Sequence, residues 1–148
     1  MAKLRITALD GEHQGEVLEA QFNPKEVAVE QATSWQRRAD KEPGDLDFER
    51  AEPTLMSFEL LFDGVQSASS VQPQLDVLRR FGSVDAILRR PPKVDVTWGS
   101  GADVMPKFAA VIESVTVRYA VFAESGVPLR ATADVKLKQA ARLGVRSS

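Results

Sequence analysis

One histidine, His13, and no cysteine limit the nucleophiles and metal ligands this chain can offer. His13 lies in Asp10-Gly11-Glu12-His13-Gln14-Gly15, where an imidazole beside carboxylates is a possible ligand or general base. The flanking glycines make a solvated turn residue the plainer reading. A serine nucleophile needs a base within hydrogen-bond reach, and the chain has no Gly-x-Ser-x-Gly. Gly99-Ser100-Gly101 comes nearest to a phosphate-binding loop but lacks the lysine and the following helix, so it reads as a hairpin turn. Asp45, Asp47 and Glu49 gather carboxylates, in an order that does not reproduce a calcium loop. The absence of cysteine excludes disulfides, thiolate catalysis and cysteine-ligated zinc. No catalytic residue, cofactor site or metal site is expected.

Arg79, Arg80, Arg89, Arg90 and Lys93 precede Trp98 and Phe108, a mixture of basic and aromatic residues that single-stranded nucleic acid can use. Trp98, however, shares its strand face with Val94 and Val96, which places it in a core. The chain as a whole carries a net charge of −2. A nucleic-acid partner is therefore not expected.

The elements that would position any of these groups are mostly strands. Leu4, Ile6 and Ala8 alternate with polar neighbours, the period of a half-buried strand. After the Asp10-Gly11 turn signal, Leu18, Ala20 and Phe22 repeat that pattern, and Asn23-Pro24 ends it. A third strand is expected over residues 26–37. Residues 38–52 then read as a long polar loop centred on Pro43-Gly44, with Leu46 and Phe48 as isolated apolar residues. Such a loop is uncommon in a compact domain unless it reaches a partner.

Met56, Phe58, Leu60 and Phe62 mark a strong strand. Pro73 opens the one convincing helix, with Leu75, Val77, Leu78 and Phe81 as its apolar stripe and Gly82 as its stop. Val94, Val96 and Trp98 form another strand. Phe108 to Phe122 is the longest β-rich run, with Val111, Val115, Val117, Tyr119 and Val121 read in one register. Leu129, Ala131, Ala133, Val135 and Leu137 alternate without a break. Seven or eight antiparallel strands and one helix give a mainly β fold, expected as two packed antiparallel sheets, a β-sandwich or partly closed barrel. Residues 1–139 form the expected domain and residues 140–148 a basic C-terminal tail.

At 148 residues, 43% hydrophobic and 27% charged, the chain is sized and composed as one globular domain. No window approaches the ~20 apolar residues of a membrane span, and the N-terminus lacks the apolar segment of a secretory signal. The two halves differ in charge. Residues 1–74 hold seven Lys/Arg against fourteen Asp/Glu, whereas residues 75–148 hold twelve against seven. A split of −7 and +5 favours head-to-tail association of identical subunits.

An ordered set of motifs resembles a known family: Phe22-Asn23-Pro24, Phe58 to Gly64, Arg90-Pro91-Pro92 leading to Val94–Gly99, Phe108 with Val111–Val115, then Tyr119, Phe122 and Gly126–Ala131. Across residues 4–138 the chain resembles the tube-like baseplate proteins of contractile injection systems, the tube-initiator or adaptor subunits of extracellular phage-tail-like particles. The resemblance implies a fold of the phage-tail tube type and a homo-hexameric ring between the spike or hub protein and the inner tube protein. Other baseplate or sheath components would be further partners. Assembly would take place in the bacterial cytoplasm, as part of a particle that is released or acts extracellularly.

Sheets of neighbouring subunits would join edge to edge, and residues 38–52 would reach adjoining subunits. The expected interface residues are Arg38, Asp45, Leu46, Asp47, Phe48, Glu49 and Arg50. Many family members carry a LysM module, which residues 1–148 do not contain, so cell-wall binding is not expected of them. The alternatives are an inner tube subunit of the same kind of particle or a small-ligand-binding β-barrel. An enzyme using the acids near Asp45 is a third possibility, but no enzymatic activity is expected.

Overall fold

A computed structural model of the chain describes residues 2–31, 33–36 and 47–140, the backbone alone for 33–36 and 47–51. The strands are β1 (Leu4–Ala8), β2 (Val17–Glu19), β3 (Val27–Glu30), β4 (Thr33–Gln36), β5 (Asp47–Ala51), β6 (Leu55–Asp63), β7 (Val94–Trp98), β8 (Ala110–Phe122) and β9 (Pro128–Gln139). Helix α1 spans Gln72–Phe81.

The alternating residues read from the sequence do line one face. Leu4, Ile6, Ala8, Met56, Phe58, Leu60 and Phe62 are buried, as are Ala131, Ala133, Val135 and Leu137. Proline lies in the first turn of α1, and its buried residues are Leu75, Leu78 and Phe81.

The expected pair of packed sheets is not seen among the described residues. Seven strands make a single antiparallel sheet in the order β2-β1-β7-β8-β9-β6-β3, while β4 and β5 pair separately as a two-stranded ribbon. One helix and the curl of the sheet supply the cover that a second sheet would give. The curl shows in Gln21, just after β2, whose side chain reaches the end of β6. Gln21 Nε2 donates to the Asp63 carbonyl at 2.8 Å, and its Oε1 accepts from the Asp63 N–H at 2.9 Å. A side-chain amide thus replaces one peptide of a missing ladder, and the sheet stays open.

Asn23 acts similarly at the other side of the hairpin. Its Oδ1 accepts from the Leu4 N–H at 3.0 Å, and its Nδ2 donates to the Ala2 carbonyl at 2.9 Å. Apolar side chains of β1, β2, β6, β7, β8, β9 and α1 meet in one core.

Two further expectations change. The single strand expected over residues 26–37 divides into β3, which joins the main sheet through β6, and β4, which pairs with β5. The second half of the expected 38–52 loop is strand β5, with Trp35 opposite Phe48 and Gln36 opposite Asp47.

The valine register in β8 also breaks. The pairing with β9 shifts between Ile112 and Ser114, so Ile112 faces the buried Leu137 while Val111 faces Lys138 on the other side. An extra residue, Glu113, turns the strand over at that point.

Candidate functional site

The candidate chemical groups do not converge. His13 Nδ1 lies 3.8 Å from Glu16 in a surface turn. Gly99 and Gly101 adopt positive φ in the turn that closes β7, as a hairpin reading requires. Arg80 is tied to Glu16 at 2.6 Å and Arg90 to Asp10 at 2.8 Å, so the basic cluster is partly spent on internal pairs. Trp98 packs against the core. Of the expected interface residues, Arg38, Asp45 and Leu46 lie outside the described residues. Asp47, Phe48, Glu49 and Arg50 lie on β5, where the backbone pairing is known.

What the structure does bring together is a broad polar face bounded by unfinished strands. The four strands β3, β6, β9 and β8 present Ala28, Ser57, Glu59, Thr132, Asp134, Ser114 and Thr116 on the side away from the core, along a shallow groove. Arg118 ties this face across three strands. It donates to Asp134 at 2.5 Å and to Glu59 at 2.7 Å. The Arg118 hydrogen bond holds the Asp134 carboxyl below its usual range, and Asp134 in turn raises Arg118. All three side chains are about half exposed, so this network orders the face more than it stabilises the fold.

The boundaries of that face are its candidate contact surfaces. Strand β8 pairs with β9 along its whole length, yet on its other side it meets β7 only at Val94–Ala110. Residues 111–122 therefore present an edge with no backbone partner among the described residues. Strand β3 pairs only with β6 among the described residues, which leaves its outer edge bare there as well.

At both edges the core-side residues are apolar and incompletely covered. Val115 and Val117 are partly buried and Tyr119 is 41% exposed; at the other edge Val27 is partly buried and Val29 is 42% exposed. A bare, partly apolar edge is a template for another chain. Composition gave no signal for these edges, because strand order in space is not written in local periodicity.

A second unanticipated feature is an acid-pinned corner beside β1. Asp85 is 8% exposed. Its Oδ2 accepts from the Glu12 N–H at 2.8 Å, and its Oδ1 accepts from the N–H groups of Ile87 and Leu88 at 2.8 and 3.1 Å. The Glu12 hydrogen bond foremost, then those of Leu88 and Ile87, hold the Asp85 carboxyl below its usual range despite burial. Burial pushes Asp10 up, but hydrogen bonds from Arg90 and the Lys93 N–H outweigh it and hold this carboxyl low too. Gly11 carries φ +89 and leaves no room for a Cβ, which would sit 2.6 Å from Asp85 Oδ2.

Both carboxyls are lowered by folding, so their stabilisation is whole above the unfolded-state value near 3.8 and is lost as pH falls through the folded values. Thermal midpoints measured from about pH 5 down to pH 2 should fall faster for the native protein than for Asp85→Asn. The variant should be the less stable one at neutral pH, and the gap should close in acid.

The fold and these surfaces define a curled antiparallel β-protein whose β8 and β3 edges lack a backbone partner among the described residues. A family model for contractile injection system tube proteins matches residues 1–146, and the chain belongs to that family. Comparison with curated proteins finds no match. No helix among the described residues is long and apolar enough to cross a membrane.

Proposed function

We propose that this protein is a structural ring subunit of a contractile injection particle, a tube-initiator or adaptor that joins the spike or hub to the inner tube. The observation that carries the reading is the match between the β8 and β3 edges. Passing from β3 through β6 and β9 to β8 reverses strand direction three times, so β8 runs opposite to β3. A neighbour related by rotation about a ring axis keeps its strand sense along that axis. Its β3 therefore meets β8 antiparallel, as every other pair in the sheet is.

The faces match as well. Val27 and Val29 of one copy would join Val115, Val117 and Tyr119 of the next on the core side. Ala28 and Glu30 would join Ser114, Thr116 and Arg118 on the polar side. Repeating the junction six times closes the ring and pairs the bare β8 and β3 edges of every copy. The polar face then forms the channel wall.

In this reading the protein is not an enzyme and needs no cofactor. Arg38, Asp45, Leu46, Asp47, Phe48, Glu49 and Arg50 contact adjoining subunits through the β4–β5 segment. The particle is assembled in the bacterial cytoplasm before release.

The family description itself favours a second reading, an inner tube subunit of the same particle. Electron microscopy and mass photometry of the purified protein test both readings. Six-fold rings are the expected result, capping tube ends for an initiator and stacking without limit for a tube subunit. A monomer at every concentration, with no ring in any particle, overturns both.

A further inference from the structure

The surface turns apolar beyond each end of α1. Past its C-terminal end, Val84 and Ile87 are each 70% exposed on the turn between α1 and β7. Past its N-terminal end, Phe122 is 55% exposed, with Val65 and Val127 also exposed beside it.

The pairing register puts these patches at opposite ends of the strands. The Val84–Ile87 turn leads into Val94, which sits opposite Ala110, whereas Phe122 sits opposite Pro128 at the far tip of the β8–β9 hairpin. The loop holding Val65 is tied to that same tip. Gly64 donates to the Leu129 carbonyl at 2.8 Å, and Val71 donates to the Pro128 carbonyl at 3.1 Å.

Neither patch is loosely held. Three N–H groups converge on the Asp85 carboxylate. The turn is further closed by Arg89 N–H to the Asp85 carbonyl at 2.7 Å and Asp85 N–H to the Arg90 carbonyl at 2.9 Å. At the tip, Ala123 N–H donates to the Val127 carbonyl at 2.9 Å. Pre-ordered apolar side chains lose little entropy when they dock.

Charge follows the same polarity. The side chains of Arg79 and Arg89 are exposed at the first end, without an ion pair among the described residues. Glu124 is exposed in the same state at the tip.

We propose that the turn bearing Val84 and Ile87 docks head to tail onto the Phe122, Val127 and Val65 end of a second copy of this chain, with Arg89 facing Glu124. A heterologous contact between opposite ends does not close on itself, so it repeats along an axis. The inference rests on the second reading above, the inner tube subunit: the strand seam makes the ring, and this contact stacks one ring on the next.

Because the chain has no cysteine, the Ile87→Cys, Val127→Cys double variant reports the contact directly. Mild oxidation of assembled protein should give a ladder of disulfide-linked chains, and neither single variant should give one. Val84→Asp with Ile87→Asp should keep its rings and thermal midpoint while axial association weakens on the order of 100-fold. Arg89→Glu should shorten stacks, and Glu124→Arg in the same chain should restore them. Unlinked chains together with normal stacking of the double aspartate variant overturn this contact while leaving the rings intact. A cross-linked ladder in a sample without rings instead overturns the strand seam and upholds the head-to-tail contact.

Discussion

Phe81→Ala should lower the unfolding free energy by about 3–5 kcal/mol, the usual loss when a fully buried aromatic leaves a cavity. Phe81 is 0% exposed at the last turn of α1, and Leu78 one turn earlier is also 0% exposed. The next residue, Gly82, lies so close to Ile112 that a Cβ there would stand 3.2 Å from the Ile112 Cγ2. The backbone therefore cannot settle inward to fill the space that the ring vacates. Among the described residues only α1 and the curl of the sheet itself enclose this core, so no separate layer is at hand to collapse onto the gap.

For a domain of ordinary stability, about 5–15 kcal/mol, this single change removes a large share. Urea unfolding should show a lower midpoint with an unchanged slope. Arg79→Ala, on the exposed side of the same turn, should stay within about 0.5 kcal/mol of the native value. Equal losses from the two variants would mean that α1 is not the plug of this core.

The sequence makes visible what depends on neighbours a few residues apart. Alternation over Leu4–Ala8, Met56–Phe62 and Leu129–Leu137 reports a buried face, because side chains two apart share a side of the strand. Pro73 and Gly82 bracket α1 for equally local reasons. What escapes is set across long separations. The bulge at Glu113 arises within a run of β-formers, where either register buries a valine, and only the pairing with β9 selects Ile112.

The division of residues 26–37 into β3 and β4 depends on which partner each half finds. Asp85 looks like one more surface acid until Glu12, 73 positions away, donates its N–H. For the same reason the free edges stay hidden: a strand's own residues are alike whether it has one partner or two. The family resemblance pointed to edge-to-edge assembly, and the β8 and β3 edges give that expectation specific residues.

The seam between subunits should fail on one substitution, Val117→Lys. Val117 lies opposite Ala133 on the core side of β8 and is only partly covered in the monomer. In an isolated chain the lysine stem can lie along the apolar margin with its ammonium in water, so the cost to folding should be about 1 kcal/mol. Once a neighbouring β3 closes over that margin, the ammonium has no escape and no anion to meet, since Val27 and Val29 are the facing side chains in the proposed junction.

An uncompensated charge held in a dry contact costs about 3 kcal/mol or more, roughly 100-fold per junction, and a closed ring repeats the penalty at each seam. Rings should vanish from micrographs while the monomer keeps a near-native thermal midpoint. Thr116→Lys, one residue away on the same edge but on the polar side opposite Asp134, should assemble almost as the native chain does. Equal assembly by both lysine variants would place the subunit contact elsewhere than at β8, because backbone pairing at this edge would then be indifferent to what stands on its apolar side.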